Sequence, residues 1–166
     1  MMKIPSLFLK ITLACVLTAA GFTSCIKKSD CNYFDAPATA PDVEIAYLRD
    51  WLQTAGIPFT AHPAGVFYVI HVEGSGPNPQ ICSNIRFRYT GKLLNGTVFE
   101  SNSEGISVIL GQLIVGLQKS LPRIKEGGSI TVYVPPYLGY GYTDHPSGRI
   151  PAESYLIFEV ELLNVD

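Results

Sequence analysis

Charge is scarce in this 166-residue chain, with 12 Lys and Arg against 14 Asp and Glu, 16% of residues in all. That excludes the basic footprint of a nucleic-acid binder, because neutralising phosphates takes clustered Lys and Arg. The same scarcity beside 47% hydrophobic and 11% aromatic residues excludes a mostly disordered chain. Histidine is rarer still. His62, His71 and His145 show no H-E-x-x-H spacing and stand beside no evident nucleophile, so they read as surface or loop residues, and no metal is expected. No Walker loop or dinucleotide fingerprint occurs, since Gly139-Tyr140-Gly141 lacks a third glycine and a helix behind it. A G-x-S-x-G elbow and a C-x-x-C pair are missing too, which removes support for serine hydrolase, redox and zinc-knuckle readings. No cofactor is expected.

What is present begins with an export signal. Lys3 and Lys10 precede or interrupt an apolar run that continues to Phe22, too short for a membrane span of about 20 uniformly apolar residues. Phe22-Thr23-Ser24-Cys25 resembles a bacterial lipoprotein box, in which the cysteine is acylated and becomes the mature first residue. Residues 1–24 are therefore read as a signal peptide and Cys25 as a lipidation site, the alternative being a plain secreted protein. The segment carries two lysines and no acid, so its loss takes the formal charge from −2 to −4. Acyl chains contribute about 0.8 kcal/mol per buried methylene, which makes this an anchored protein rather than a spanning one. Cys31 and Cys82 remain. In an oxidising compartment they either pair as a disulfide or stay as two thiols, one flexible and one buried.

Residues 25–41, with Lys27, Lys28, Asp30, Pro37 and Pro41, read as a tether with little structure of its own. Residues 42–64 read as one helix and a connection. Asp42 looks like an N-cap, Glu44 falls in the first turn, and Ile45, Leu48, Leu52 and Ala55 make one apolar face over 43–55 until Gly56 and Pro58 stop it. A helix this short must pack on the rest of the chain or on a partner.

From residue 65 the period becomes that of strands. Val66–Val72 is one candidate, and Ile85, Phe87 and Tyr89 alternate with Arg86 and Arg88. Asn95-Gly96 signals a hairpin with its return at Thr97–Phe99. Ile106–Leu110 reads as a further short strand, and Leu117–Ile124 as a brief helix that Pro122 should shorten or kink. Ile130, Val132 and Val134 share a face. A loop rich in Gly, Tyr and Pro comes next over 137–153, then a last strand with Leu156, Phe158, Val160 and Leu162. Five or six strands, mostly joined as hairpins, and a short helix imply an α+β domain over 65–166.

Aromatics from separate segments, Tyr89, Phe99, Tyr140 and Phe158, read as ordinary core by alternation alone. The stretches FRYTGKLLNGTVFES, LGQLIVGL, IKEGG, VPPYLGYG and IPAESYLIFEVELL, taken together and in this order, resemble the FKBP-type peptidyl-prolyl isomerase domain over about residues 66–166. The resemblance implies a curved antiparallel sheet wrapped on a short helix, with an apolar cleft between them. It implies catalytic roles for Tyr89, Phe99 and Phe158 as aromatic walls, Ile114 through its backbone N–H, Tyr140 through its hydroxyl, and Glu100. Ile106, Leu113, Leu117, His145 and Ile150 are implied as substrate-binding residues. Three positions depart from the family pattern: Leu117 stands for a tryptophan at the floor, Glu100 for an aspartate, and Ile106 for an aromatic. One extra residue also separates His145 from Ile150.

The implied activity is rotation about X–Pro bonds in proline-containing, unfolded or partly folded exported polypeptides. The chain is expected to act as a monomer held at a membrane by its lipid anchor, at the outer membrane facing the periplasm. Two alternatives come from other classes. The cleft holds prolyl segments without efficient turnover, a binding module that Leu117 and Glu100 favour; or the helix at 43–55 is a dimer arm.

Overall fold

The computed structural model describes residues 31–35 and 37–166; the expected signal segment 1–24 and the lipidation site Cys25 lie outside them. Ile45, Leu48 and Leu52 recur at helical spacing and form one face of α1, Asp42–Thr54. Its start corrects the expected cap. Pro41 holds the N-cap position without a side-chain bond, so Asp42 is the first helical residue and joins Glu44 in the first turn, where the helix dipole favours acids. Ala55 is not part of the apolar face but the exposed C-cap.

Six strands come after it: β1 Thr60–Ala61, β2 Phe67–Val72, β3 Asn84–Leu93, β4 Val98–Ile109, β5 Ser129–Val134 and β6 Leu156–Val165. They make one antiparallel sheet in the order β1-β2-β5-β6-β3-β4. Sequential hairpins account for only part of it, because the chain crosses over between β2 and β3 and again between β4 and β5, leaving β5 and β6 central. The hairpin at Asn95-Gly96 forms as its sequence implies, with Gly96 at φ 87° and the Leu93 N–H on the Thr97 carbonyl at 2.9 Å. Where two short strands are expected after it, β4 runs unbroken. The interruption is a bulge, at which the pairing jumps from Phe87–Ile106 to Tyr89–Asn102 and the Asn102 side chain accepts the Gly105 N–H at 2.8 Å. Between β4 and β5 lies α2, Val115–Ser120, which tightens into a 3₁₀ turn at Leu121–Arg123. Pro122 accounts for the change, since it has no N–H to continue the helical ladder.

Alternation along the strands divides the side chains between two faces. The inner face carries Ile85, Phe87, Val132, Leu156 and Leu162, packed with Leu117 and Leu121 of the α2 segment. On the outer face Phe67 and Tyr133, with Val69 and Ile157 beside them, receive Leu48 and Leu52 of α1. Both leucines are wholly buried, each contributing about 1.5–3 kcal/mol. The apolar face of α1 is thus covered within the chain. β5 lies between the two layers, so Ile130 through Val134 is a continuous buried run rather than an alternating one. Beyond α1 the outer face turns polar, with His71 bonded to the buried Thr131 at 2.8 Å and Lys92 to Glu159 at 2.6 Å; an exposed ion pair such as the second contributes little to stability.

Residues 31–41 have no helix or strand among those described, yet from Cys31 on the expected free tether is attached. Cys31 is joined to Cys82 by a disulfide with Cα atoms 5.8 Å apart. Asp35 pairs with Lys119, and the Ala40 N–H donates to the Ala64 carbonyl at 2.9 Å. Residues 31–166 form one compact unit. Among the described residues no helix is long and apolar enough to cross a membrane.

Candidate active site

Residues on β3 at alternate positions point toward α2, so Phe87, Tyr89 and Gly91 enter the site in sequence. Phe87 and Tyr89 have ring centroids 5.4 Å apart, and Tyr89 lies 6.5 Å from Phe158 of β6. Phe158 meets Phe99 of β4 edge to face at 5.7 Å, a favoured arrangement of ring quadrupoles. Gly91 makes this possible. It pairs with Phe158 across the sheet, and a Cβ there would stand 2.5 Å from the Phe99 ring and 3.3 Å from Phe158. A side chain at that position would drive the two rings apart.

The opposite wall comes from the turn before α2. Ile114 occupies the N-cap position, its carbonyl taking the N–H groups of Leu117 and Gln118 at 3.0 and 3.2 Å; its own N–H precedes the helical ladder. The Gln118 side chain holds the turn by donating to the Leu113 carbonyl at 2.6 Å and to that of Gly111 at 3.2 Å. Leu117, one turn into α2, is almost fully buried.

Between the walls is a cavity of about 180 Å³. Tyr89, Glu100, Ile106, Leu113, Ile114, Leu117, Tyr140 and Phe158 all border it, so eight of the eleven residues singled out in the sequence converge from β3, β4, β6, the α2 segment and the loop after β5. The other three do not line it. Phe99 packs on Phe158, and the His145 ring lies 4.6 Å from that of Tyr140. Ile150 is buried in the inner core and takes the His145 N–H on its carbonyl at 2.9 Å. Two lining residues escaped the sequence reading, Phe87 and Gln112. Phe87 was visible as a core position of β3, but nothing in its alternation separates a cavity wall from ordinary core. Gln112 carries no signal of its own.

Polar groups are few and specific. Tyr89 is pushed up to about 12 by burial and then by the nearby Glu100 carboxylate. Tyr140 is raised by burial and then by Glu100. Both phenols stay protonated through neutral pH and can donate. Arg149 reaches back from the long loop to the Phe99 carbonyl at 3.3 Å. Among the described residues no cluster of three or more His, Cys, Asp or Glu is placed to hold a metal. The arrangement offers an apolar recess with donors at its edge and no nucleophile.

Comparison with known proteins bears on this geometry. The family model for the FKBP-type peptidyl-prolyl cis-trans isomerase matches residues 76–163. The FKBP-type peptidyl-prolyl cis-trans isomerase FkpA of Buchnera aphidicola (subsp. Schizaphis graminum) is 36% identical over 123 residues, 72% of this chain and 47% of the relative. The peptidyl-prolyl cis-trans isomerase Mip of Coxiella burnetii is 36% identical over 104 residues, 61% of this chain and 45% of its own. The chain thus spans about half the length of these curated relatives. Among solved structures, FkpA from Escherichia coli superposes with a TM-score of 0.67 at 29% identity, covering 75% of this chain and 60% of that one. AtFKBP13 gives 0.59 at 29% identity, covering 66% and 99%.

Proposed function

Because the chain belongs to the FKBP-type peptidyl-prolyl cis-trans isomerase family, we propose that its cleft accelerates rotation about X–Pro bonds in unfolded or partly folded exported polypeptides. The observation that carries the reading is the convergence of Tyr89, Phe158, Leu117, Ile114 and Tyr140 on one apolar cavity. Rotation of the imide faces a barrier of roughly 18–20 kcal/mol because resonance holds it planar. The two X–Pro isomers lie close in energy, so the obstacle is kinetic. An apolar recess disfavours the dipolar planar amide relative to the twisted form. Each ~1.4 kcal/mol of that difference gives about tenfold in rate. In this reading the proline ring sits over Leu117, while the Ile114 N–H and the Tyr140 hydroxyl orient the substrate backbone. Phe99, with His145 and Ile150 in the long loop, supports the walls from behind rather than touching the ring.

A binding module without efficient turnover is the second reading, favoured by Leu117 at the floor and by Glu100. Leu117→Trp separates them. Leu117 lines the cavity; if the indole enters that space, catalysis of prolyl-tetrapeptide isomerisation is expected to rise, and if neighbouring side chains already fill it, overpacking costs about 1–3 kcal/mol instead. The isomerase reading fails if the wild type shows no catalysis above background and Leu117→Trp, still folded, shows none. A folded, inactive wild type that binds prolyl peptides makes the binding module the better account.

The same proposal places the protein outside the cytoplasm as a monomer, anchored through Cys25 to the outer membrane and facing the periplasm. Its support is the pattern of residues 1–25 and a Cys31–Cys82 pair suited to an oxidising compartment. Cys25→Ala is expected to shift the protein from the detergent phase to the aqueous phase and to remove the mass of the acyl groups. Unchanged partitioning and mass would rule the anchor out.

A further inference from the structure

We propose that Glu44, on α1 and outside the matched family segment, is a positioning residue that fixes the loop carrying Tyr140 and so sets the affinity of the cleft for its peptide. The inference rests on the cleft being the proposed peptide site. Glu44 is only 7% exposed, and a buried carboxylate is costly unless both oxygens are paired. Both are. Oε2 accepts the Tyr137 backbone N–H at 3.0 Å and Oε1 accepts the Tyr142 hydroxyl at 2.6 Å. These partners are 93 and 98 residues along the chain, and they bracket Tyr140, three residues before it and two after.

The Tyr137 N–H belongs to the 3₁₀ turn Pro136–Leu138, whose N-cap Pro135 provides no side-chain bond. First-turn N–H groups have no partner within the turn, and Glu44 supplies one from another element. The other backbone bonds of this segment stay within the loop, from Leu138 to Pro135 at 3.1 Å, Gly139 and Gly141 to Pro136 at 3.0 and 2.9 Å, and Glu153 to Gly141 at 3.1 Å. The Tyr137 and Tyr142 rings are half exposed, so burial does not fix them. Glu44 itself sits on a rigid base, because Leu48 and Leu52 seat α1 on the sheet and Tyr47 stacks on Tyr155 at 4.7 Å. The chain therefore has one connection from α1 to both flanks of a cavity-lining tyrosine.

If the latch holds the loop in its peptide-ready form, opening it lowers the population of that form, and the apparent affinity falls by the same fraction. The cost appears in ground state and transition state alike, so KM rises and kcat holds. Prolyl-tetrapeptide kinetics and peptide affinity would be measured on the full chain for the wild type, Glu44→Ala, Glu44→Gln and Tyr142→Phe. Glu44→Ala is expected to raise KM and Kd about fivefold at unchanged kcat, the scale of a lost charge-assisted hydrogen-bond pair. Glu44→Gln keeps a carbonyl acceptor and should recover part of the loss, and Tyr142→Phe should show a smaller rise. A residue that serves folding alone would lower Tm and leave the KM of the folded molecules unchanged. Folded Glu44→Ala with wild-type KM and Kd overturns the proposal. Should Glu44→Ala not fold, Tyr142→Phe decides by the same readings. A wild type that binds peptide without catalysis defeats the isomerase reading only, and the order of the Kd values still tests the latch.

Discussion

Phe158→Ala should lower the specificity constant about thirtyfold or more and should destabilise the protein by about 3–5 kcal/mol. The ring is 3% exposed, lines the cavity, and touches both Tyr89 and Phe99. Removing a buried phenylalanine costs about 3–5 kcal/mol, because its contacts are lost and the surroundings close only in part. At the site, two rings lose the partner that sets their angle, and the recess opens toward β6. If only about 2 kcal/mol of differential binding is lost, the specificity constant falls roughly thirtyfold. Phe158→Leu is the companion, since it keeps an apolar filler and should spare most of the stability. Urea titration and tetrapeptide kinetics corrected for the folded fraction would be read together. A folded Phe158→Leu protein with the wild-type specificity constant would show that the aromatic wall is not where substrate binds.

Cys31→Ser is the second large effect, and it falls on stability rather than on catalysis. The disulfide spans a sequence separation of 51, and cross-linking a loop of that length restrains the unfolded chain by about 4 kcal/mol on the chain-entropy account. The segment it secures keeps other attachments, from Asp35 to Lys119 and from Ala40 to Ala64. The realised loss is therefore expected nearer about 2–3 kcal/mol. Neither cysteine touches the cavity, so the specificity constant of the folded protein should hold. The same shift should result from adding reductant to the wild type. Two thiols titrating in the denatured, unreduced mature protein, or a denaturation midpoint indifferent to reductant, would contradict it.

The readable parts of the fold were those with short-range causes. The 3.6-residue spacing of Ile45, Leu48 and Leu52 gave α1, Asn95-Gly96 gave the β3–β4 turn, and Pro122 gave the break after α2. The cleft was legible only through the family resemblance, since Tyr89 and Phe158 alternate just as core residues do. What stayed hidden depends on pairing across the chain. The outer-face layer under α1 needs Phe67, Tyr133 and Ile157 brought side by side by two crossovers. A hint of it was present in β5, where Thr131 and Tyr133 continue the buried run on the other parity. Ile106 reaches the cavity after a bulge in β4 that no apolar pattern announces. Glu44 reads as an ordinary first-turn acid until the loop beyond β5 is folded against it.

The central claim is that this cleft turns over X–Pro bonds, and exchange spectroscopy on a prolyl peptide tests it most directly. With the protein present far below the peptide concentration, cis and trans signals of the same residue should show exchange on the sub-second scale, against tens of seconds or more for the free peptide. The exchange should scale with protein concentration and drop sharply with Phe158→Ala. Peptide signals that shift on binding while cis and trans remain unexchanged would contradict the account.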